Sequence, residues 1–327
     1  MILAGDVGGT KTNVGFFAVE RDRLISVAEE TFPSDGFPSL EALTSEFLRK
    51  HGGTADRACF GVAGPVHRGR CKGVNLPWIV DAPSLSQALG IDRVHVINDL
   101  ESTAYSLHVL GRRDVVTLRP GARGANGNAA VIAAGTGLGE GGLYWDGQRH
   151  HPFACEGGHC DFGPRDALEG ELLAFLREKY DHVSCERVLS GAGLVDLYRF
   201  FCTQVRKKAA PEVLAALDTD NGPAAISRAA LENRCPVAVA ALDRFALIYG
   251  AEAGNLALKL MATGGLFVGG GIAPKIINKL REPAFIETFL AKGRMRELLM
   301  VRIPVRVIMT NRAALLGAAQ FARLHGS

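Results

Sequence analysis

The sequence lacks any run of eighteen consecutive apolar residues, although 47% of its 327 residues are hydrophobic. A helix that spans a bilayer needs about twenty predominantly apolar residues, so no membrane-spanning helix is predicted. The start of the chain also lacks the basic-then-apolar pattern of a secretory signal, because Asp6 interrupts the apolar residues. We therefore expect a soluble, cytoplasmic globular protein with a core sufficient for one large or two moderate domains.

An excess of one charge sign and paired cysteine motifs are also missing. The 37 Lys and Arg residues against 34 Asp and Glu leave a formal net charge of +3, and the basic residues are scattered. No nucleic-acid-binding surface is therefore indicated, and a small partner is favoured. The seven cysteines are an odd number without CxxC spacing, which is typical of reduced thiols in a cytoplasmic protein.

The P-loop pattern GxxxxGK[ST] is absent, but three glycine-rich turns each follow a predicted strand: Gly8-Gly9-Thr10, Gly135-Thr136-Gly137 and Gly269-Gly270-Gly271. Glycine allows several backbone N–H groups to approach one anion. A single such turn is equally compatible with a tight hairpin, but three in one chain favour a phosphate site. The string GTGLGE also resembles a dinucleotide fingerprint loosely, yet a β-like segment follows it where a helix should begin.

Two of these turns lie in similar segments, MILAGDVGGTKTNVGFFAVE and AAVIAAGTGLGEGGLYWDG, each of which predicts a strand, a glycine turn and a second strand. Placing Gly137 on Gly8 gives an offset of 129 residues between the two copies. A hairpin that opens each half of the chain predicts a duplicated two-domain α/β protein with a cleft between the halves.

Polar residues next to these segments are candidates for chemistry. Asp6 precedes the first turn, where it could hold Mg²⁺ directly or through water, or stabilise the turn by hydrogen bonding. Asn98 ends the predicted strand RVHVIN, and Asp99 lies between this strand and a predicted helix from Leu100 to Leu110. Ligands gather at such strand ends. Asp99 is equally suited to cap a helix that starts at Leu100, so local sequence leaves both roles open.

Two glycine-containing loops in the second half are rich in hydrogen-bonding side chains. CEGGHCDFG contains Glu156 and His159, and SCERVLSGAG contains Glu186. Carboxylates accept hydrogen bonds from hydroxyl groups and His can also donate, so these loops suit a sugar. Surface charges without a ligand are the alternative. A zinc site is not expected, because the Cys and His spacings match no standard pattern.

Taken in order, these segments resemble the bacterial glucokinase family of the hexokinase and actin-like ATPase superfamily. GDVGGTKTN resembles its first phosphate motif, VINDLESTA its catalytic loop, AAGTGLGEG its second phosphate motif and GGLFVGGGIAPK its adenosine motif. CEGGHCDFGP and ERVLSGAGLVDLYR resemble its sugar loops. The related ROK sugar kinases carry a cysteine-rich zinc motif where this chain has DFGPRDALEG, so no structural zinc is expected.

The resemblance implies an α/β, two-domain actin-like ATPase (ribonuclease H-like) fold with an interdomain cleft. It implies a small α/β domain of residues 1–110, completed by a C-terminal helix at 311–327, and a large α/β domain of residues 111–310. It also implies an enzyme that transfers the γ-phosphoryl group of ATP, with Mg²⁺, to the 6-hydroxyl of D-glucose. Neither nucleic acid nor a membrane is an expected partner, and a homodimer is expected.

By position, the resemblance assigns a role to each candidate residue. Asp99 is the expected general base, and Asp6 is expected to hold Mg²⁺. The expected glucose ligands are Asn98, Asp99, Glu156, His159 and Glu186. The expected ATP-binding residues are Gly5, Asp6, Val7, Gly8, Gly9, Thr10, Gly135, Thr136, Gly137, Gly270 and Gly271. The alternatives are a kinase of fructose, mannose or an N-acetylated sugar, a non-catalytic sugar or nucleotide sensor of this fold, and an NAD-dependent oxidoreductase.

Overall fold

The computed structural model describes residues 1–72, 76, 78–204 and 210–325. The chain divides into two compact units. Unit 1 comprises Met1–Asp114, Pro152–Ala154 and Thr310–Ser327. Unit 2 comprises Val115–His151 and Cys155–Met309. Within the described ranges, no helix is both long enough and apolar enough to cross a lipid bilayer.

Strands and helices are mixed throughout both units. The strands are β1 (Ile2–Val7), β2 (Lys11–Glu20), β3 (Arg23–Pro33), β4 (Arg57–Val62), β5 (Val66–His67), β6 (Arg70–Lys72), β7 (Ile79–Asp81), β8 (Arg93–Asn98), β9 (Val115–Arg119), β10 (Ala129–Ala134), β11 (Leu138–Trp145), β12 (His150–Cys155), β13 (Gly265–Gly269) and β14 (Val305–Ile308). The α-helices are α1 (Leu40–His51), α2 (Ala82–Leu89), α3 (Asp99–Ser106), α4 (Ala167–Arg177), α5 (Gly191–Gln204), α6 (Pro211–Ala216), α7 (Gly222–Leu231), α8 (Pro236–Lys259), α9 (Ile277–Leu280), α10 (Pro283–Leu290), α11 (Met295–Leu298) and α12 (Ala313–Leu324).

The main sheet of unit 1 has the strand order β3-β2-β1-β4-β8. β2 and β3 are antiparallel to their neighbours, whereas β1, β4 and β8 are parallel to one another. The register pairs Val7 with Val62 and Val62 with Asn98, so the three parallel strands end at the same edge. This is the edge at which open α/β sheets bind their ligands.

Both faces of β1 are covered, because alternate residues belong to different apolar clusters. Leu3 packs with one cluster, while Ala4 packs with a second that includes Leu315 of α12. α12 approaches α3 closely: a side chain at Gly317 would overlap the carbonyl of Ser102. The C-terminal helix therefore forms part of the core of unit 1.

The sheet of unit 2 has the order β12-β11-β10-β13-β14-β9. β10 pairs antiparallel with β11 and parallel with β13, and β13 pairs parallel with β14. α8 packs against this sheet, and its Tyr249 hydroxyl accepts a hydrogen bond from the Ala134 N–H at 3.1 Å. Buried apolar residues line most of α8, so this helix is the centre of the unit 2 core.

Two predicted helices differ from the structure in extent. The predicted limits Leu100 and Leu110 are wrong, because α3 spans Asp99–Ser106. The C-terminal helix expected at 311–327 is α12, Ala313–Leu324, and residues 326 and 327 lie outside the described residues.

Candidate active site

The first glycine turn joins β1 to β2 in unit 1. The Gly8 N–H donates to the carbonyl of Lys11 at 3.1 Å, which closes the turn. The N–H groups of Gly9 and Thr10 donate to no acceptor in the part of the chain that the structure describes. Adjacent unpaired N–H groups form an anion-binding concavity, so this turn fits a phosphate.

Ser34 supports this turn, although sequence reasoning did not identify it. The buried Ser34 hydroxyl donates to the Gly8 carbonyl at 2.7 Å, and the Ser34 N–H donates to the Thr10 carbonyl at 3.0 Å. Ser34 lies 26 positions after Gly8 and reaches it because β3 pairs with β2. No local pattern could have revealed this contact, which depends on strand pairing.

Asp6 lies beside the same turn, on the last part of β1. Its Oδ2 accepts a hydrogen bond from the Asn13 amide at 3.0 Å. Burial raises the pKa of Asp6 above its ordinary value, while the Asn13 hydrogen bond and the Lys11 charge act in the opposite direction. The expected ATP-binding residues Gly5 and Val7 are buried within β1, so they present no side chain to a ligand.

Asn98 and Asp99 lie where β8 passes into α3. Asn98 is the N-cap of α3: its Oδ1 accepts from the N–H groups of Leu100 at 2.8 Å and Glu101 at 3.2 Å. Its Nδ2 donates to the Gly64 carbonyl at 3.0 Å. Asn98 therefore holds the N-cap position, and Asp99, the first residue of the helix, shares in the cap because its Oδ1 also accepts from the Leu100 N–H at 2.9 Å.

The second glycine turn joins β10 to β11 in unit 2 and contacts Glu186. The Gly135 N–H donates to the Gly137 carbonyl at 2.8 Å. The Leu138 N–H donates to Glu186 Oε2 at 3.0 Å, and a Cβ at Gly137 would overlap that carboxylate. A residue expected to bind sugar therefore lies directly against a turn expected to bind phosphate.

The third glycine turn follows β13 and lies next to the second. Ala133 of β10 pairs with Gly269 of β13, so the two strands end side by side. Gly270 has a φ of +82°, and a Cβ there would overlap the Ala134 carbonyl. Only glycine fits this position without strain. The predicted second phosphate and adenosine motifs are thus neighbours within unit 2.

The loop at residues 156–159, called the 156–159 loop below, presents two exposed side chains. The side chains of Glu156 and His159 are 66% and 59% exposed, and His159 Nε2 lies 3.9 Å from Glu156 Oε2. Gly157 and Gly158 let the loop lie directly on β11, since Cβ atoms there would overlap β11 atoms. Both predicted ligands are therefore accessible to a hydroxylated molecule.

Glu140 of β11 lies beneath the 156–159 loop and is 1% exposed. Its Oε2 is the atom that a Cβ at Gly157 would overlap. Its Oε1 has no hydrogen-bond partner among the residues described. The pKa of Glu140 is raised to about 7, mainly by burial and also by the charge of Glu252, while the charge of Lys259 acts in the opposite direction. Sequence reasoning missed this residue, because a carboxylate in the pattern GTGLGEG gives no sign of facing inward.

No group of three or more His, Cys, Asp or Glu side chains in the described ranges is arranged to hold a metal ion. A Mg²⁺ ion bound with nucleotide needs fewer protein ligands, because phosphate and water oxygens complete its shell. The Asp6 carboxylate, beside the unpaired N–H groups of the first turn, is chemically suited to that role.

Each unit has a mixed sheet that contains a hairpin with a glycine turn. Unit 1 adds a carboxylate at a strand end, and unit 2 adds an exposed loop with a carboxylate and an imidazole. These features define the class, which is a sugar kinase with the actin-like ATPase fold. The family model described as Glucokinase matches residues 3–325. The chain belongs to the glucokinase family, whose members phosphorylate glucose with ATP.

Relatives and solved structures agree with this assignment. The chain is 40% identical to the glucokinase of Nostoc sp., with 98% of both chains covered, and 35% identical to that of Yersinia pestis, with 98% of this chain and 96% of the relative covered. A crystal structure of glucokinase from an Antarctic psychrotroph is similar, with a TM-score of 0.85, 33% identity and 100% and 99% coverage. A ROK family glucokinase from Streptomyces griseus, solved with glucose and AMPPNP, shares the fold, with a TM-score of 0.66, 23% identity and 99% coverage of both chains.

Proposed function

We propose that this protein transfers the γ-phosphoryl group of ATP to the 6-hydroxyl of D-glucose. The observation that carries the proposal is the shared edge of unit 1, where β1 leads into the first glycine turn and β8 leads into Asn98 and Asp99. A phosphate-binding turn and a carboxylate at one sheet edge are the two protein elements that this reaction needs.

Asp99 acts as the general base in this proposal. It lies at the first position of α3, where the neighbouring Asn98 cap holds the backbone in place through hydrogen bonds at 2.8 and 3.2 Å. A positioned base contributes about 10²- to 10⁴-fold to a proton transfer. The capping of α3 thus has a catalytic consequence, because it fixes where the Asp99 carboxylate meets the sugar hydroxyl.

Glucose is held by Asn98, Asp99, Glu156, His159 and Glu186 in this proposal. Glu186 uses Oε2 to accept the Leu138 N–H, and Oε1 accepts no hydrogen bond in the described ranges, so one oxygen can bind a hydroxyl. Asn98 also retains donor capacity, because only one of its two amide N–H bonds is directed at Gly64. Glu186 and Asn98 thus each retain hydrogen-bonding capacity that a sugar hydroxyl can use.

ATP is held by Gly5 to Thr10, by Gly135 to Gly137 and by Gly270 with Gly271 in this proposal. The unpaired N–H groups of Gly9 and Thr10 support a phosphate contact at the first turn. Mg²⁺, when bound, would neutralise phosphate oxygens, and Asp6 would hold it directly or through water. Positioning by these backbone groups supplies most of the protein's contribution to this type of transfer.

The proposal also includes two domains: a small one of residues 1–110 with 311–327, and a large one of residues 111–310. It further includes a cytoplasmic location and a homodimeric state. Light scattering on the purified chain tests the dimer: a mass near twice 34.8 kDa supports it and a mass near 34.8 kDa rejects it.

A coupled assay of ADP production across hexoses and phosphoryl donors tests the function. The expected result is the highest kcat/KM with ATP and glucose. A higher kcat/KM with fructose, mannose or an N-acetylated sugar would identify that sugar, in place of glucose, as the substrate. Sugar or nucleotide binding without any ADP production would favour a sensor of the same fold.

A further inference from the structure

The strand register of unit 1 places three polar side chains in one row across the sheet. Asp6 of β1 pairs with Asn13 of β2, and Asn13 pairs with Thr31 of β3. The Thr31 hydroxyl donates to Asn13 Oδ1 at 2.8 Å, and the Asn13 amide donates to Asp6 Oδ2 at 3.0 Å. We call these residues the polar row.

Donor and acceptor chemistry determines the direction of this row. An ionised carboxylate only accepts hydrogen bonds, so the amide of Asn13 must present Nδ2 to Asp6. This leaves Oδ1 facing Thr31, whose hydroxyl can donate to it. A rotated amide would place two acceptors against each other at Asp6, so the row has one stable orientation.

The row holds one oxygen of Asp6 and leaves the other open. Oδ2 is occupied by Asn13, whereas Oδ1 accepts no hydrogen bond among the described residues. Carboxylates that hold a metal are themselves held by hydrogen bonds, which fix their orientation. Such a carboxylate can direct its second oxygen toward a single point beside the glycine turn.

The second hairpin shows that a β-hairpin with a glycine turn does not require this row. The cross-strand pair of β10 and β11 at the corresponding position is Ala133 with Gly139. Neither residue can donate a side-chain hydrogen bond, and the hairpin forms without one. The polar row therefore belongs to the chemistry of the first turn.

We propose that Asn13 is a positioning residue that orients the Asp6 carboxylate toward the magnesium ion of bound nucleotide, and that Thr31 fixes the Asn13 amide. This inference rests on the proposed function, in which Asp6 holds that ion. Asn13 itself contacts neither nucleotide nor sugar in this scheme. Its effect is expressed in the magnesium dependence of nucleotide binding.

Calorimetric titration of AMPPNP, a non-hydrolysable ATP analogue, into the full chain tests the proposal with and without Mg²⁺. Asn13→Ala is expected to weaken Mg²⁺-dependent AMPPNP binding about tenfold, the lower end of the effect of removing a group that orients a metal ligand. Metal-free AMPPNP binding and glucose binding should stay unchanged. Thr31→Val should give a smaller loss in the same direction, and Thr31→Ser should restore the wild-type value.

Two controls separate positioning from general stability. Ser26→Ala removes another hydroxyl of β3, which donates to Glu29 at 2.6 Å, and should leave all three affinities unchanged. Thermal unfolding of each variant reports folding. Equal weakening of metal-free and metal-bound nucleotide in Asn13→Ala would overturn the proposal, as would unchanged affinities or a Thr31→Ser variant that behaves like Thr31→Val.

Asp6→Asn distinguishes this inference from the proposed function. If Asp6→Asn removes the effect of Mg²⁺ but Asn13→Ala does not weaken it, the positioning role is wrong and the role of Asp6 stands. If Asp6→Asn leaves the effect of Mg²⁺ intact, the role of Asp6 in the proposed function is wrong, and the positioning role is overturned with it.

Discussion

The sheets of the two units share a strand order but place their chemistry differently. β3-β2-β1-β4-β8 in unit 1 corresponds to β12-β11-β10-β13-β14 in unit 2, with β9 added at the edge. β8 ends with Asn98 and is followed by Asp99, whereas β14 ends with Ile308 and is followed by Met309. The architecture is therefore repeated while the strand-end carboxylate is present in one copy only.

The two hairpins show the same pattern at the level of single residues. Four residues separate the paired Val7 and Thr12, and three separate the paired Ala134 and Leu138. Ala134 corresponds to Val7 and Leu138 to Thr12, so the copies are offset by 127 and then 126 residues. The offset of 129 predicted by matching glycines is wrong, because pairing rather than glycine position defines the turn.

The prediction with the largest expected effect tests whether the carboxylate after β8 accounts for the functional difference between the sheets of the two units. Asp99→Asn should lower kcat by about 10²- to 10⁴-fold while glucose binding is largely kept, because the amide cannot accept the proton. Steady-state kinetics and glucose titration measure both quantities.

Asp81→Asn is the matched control, since Asp81 caps α2 through Ser84 at 3.1 Å and Asn caps equally well. Its kcat should stay at the wild-type value. A kcat for Asp99→Asn within a few fold of wild type would remove Asp99 from the catalytic role.

The second effect concerns the buried acid of the second hairpin. Glu140 has its pKa raised from 4.5 to about 7, so the folded state holds a proton that the unfolded state has released. Stability should therefore fall as pH rises from about 4.5 to 7. Glu140→Gln removes this dependence, so its advantage over wild type should grow by about 2 to 3 kcal/mol between pH 5 and 8.

Chemical denaturation at both pH values measures this difference in the free energy of unfolding. Glu178→Gln, at an exposed position of unit 2, should show the wild-type pH dependence. If the free energy of unfolding changed with pH in the same way for wild type and Glu140→Gln, Glu140 would be ionised in the folded state and the prediction would be wrong.

The third prediction applies one substitution to both turns. Gly137→Ala should raise the KM for glucose about tenfold, because the new Cβ displaces Glu186 from its charge-assisted hydrogen bond with Leu138. Gly8→Ala should instead raise the KM for ATP, because the turn lies close to the expected phosphate. Equal effects of the two variants on both KM values would show that the turns do not differ in this way.

The smallest expected effect concerns how each turn is supported. The Gly8 carbonyl accepts from the Ser34 hydroxyl, whereas the Gly135 carbonyl accepts from the backbone N–H of Gly191 at 2.9 Å. Ser34→Ala should therefore cost about 1 kcal/mol of stability and raise the KM for ATP a few fold.

Ser106→Ala provides the comparison for Ser34→Ala. Ser106 is also buried in unit 1, and its hydroxyl donates to the Thr103 carbonyl at 2.6 Å. This variant should lose similar stability with no change in the KM for ATP. If Ser106→Ala raised the KM for ATP as much as Ser34→Ala does, loss of stability alone would explain both increases.

Sequence periodicity and glycine were sufficient to predict both hairpins and their turns, because these signals are local. The start of α3 was predicted one residue late, since Asn98 and Asp99 are equally good capping residues and only the structure shows that Asn98 occupies the N-cap position. Ser34, Thr31 and Glu140 could not be assigned, because their contacts depend on strand register and on which way a side chain faces.

Under the proposed function, the contact of Glu186 with the second turn would link the two substrates thermodynamically. A sugar hydroxyl that shifts the Glu186 carboxylate also changes its hydrogen bond with the Leu138 N–H and its contact with Gly137. Equilibrium coupling of this kind is reciprocal, so the factor by which glucose changes nucleotide affinity must equal the factor by which nucleotide changes glucose affinity. In the proposed scheme, synergy between the substrates would then arise within unit 2, because the Glu186 carboxylate would contact both the sugar and the second turn.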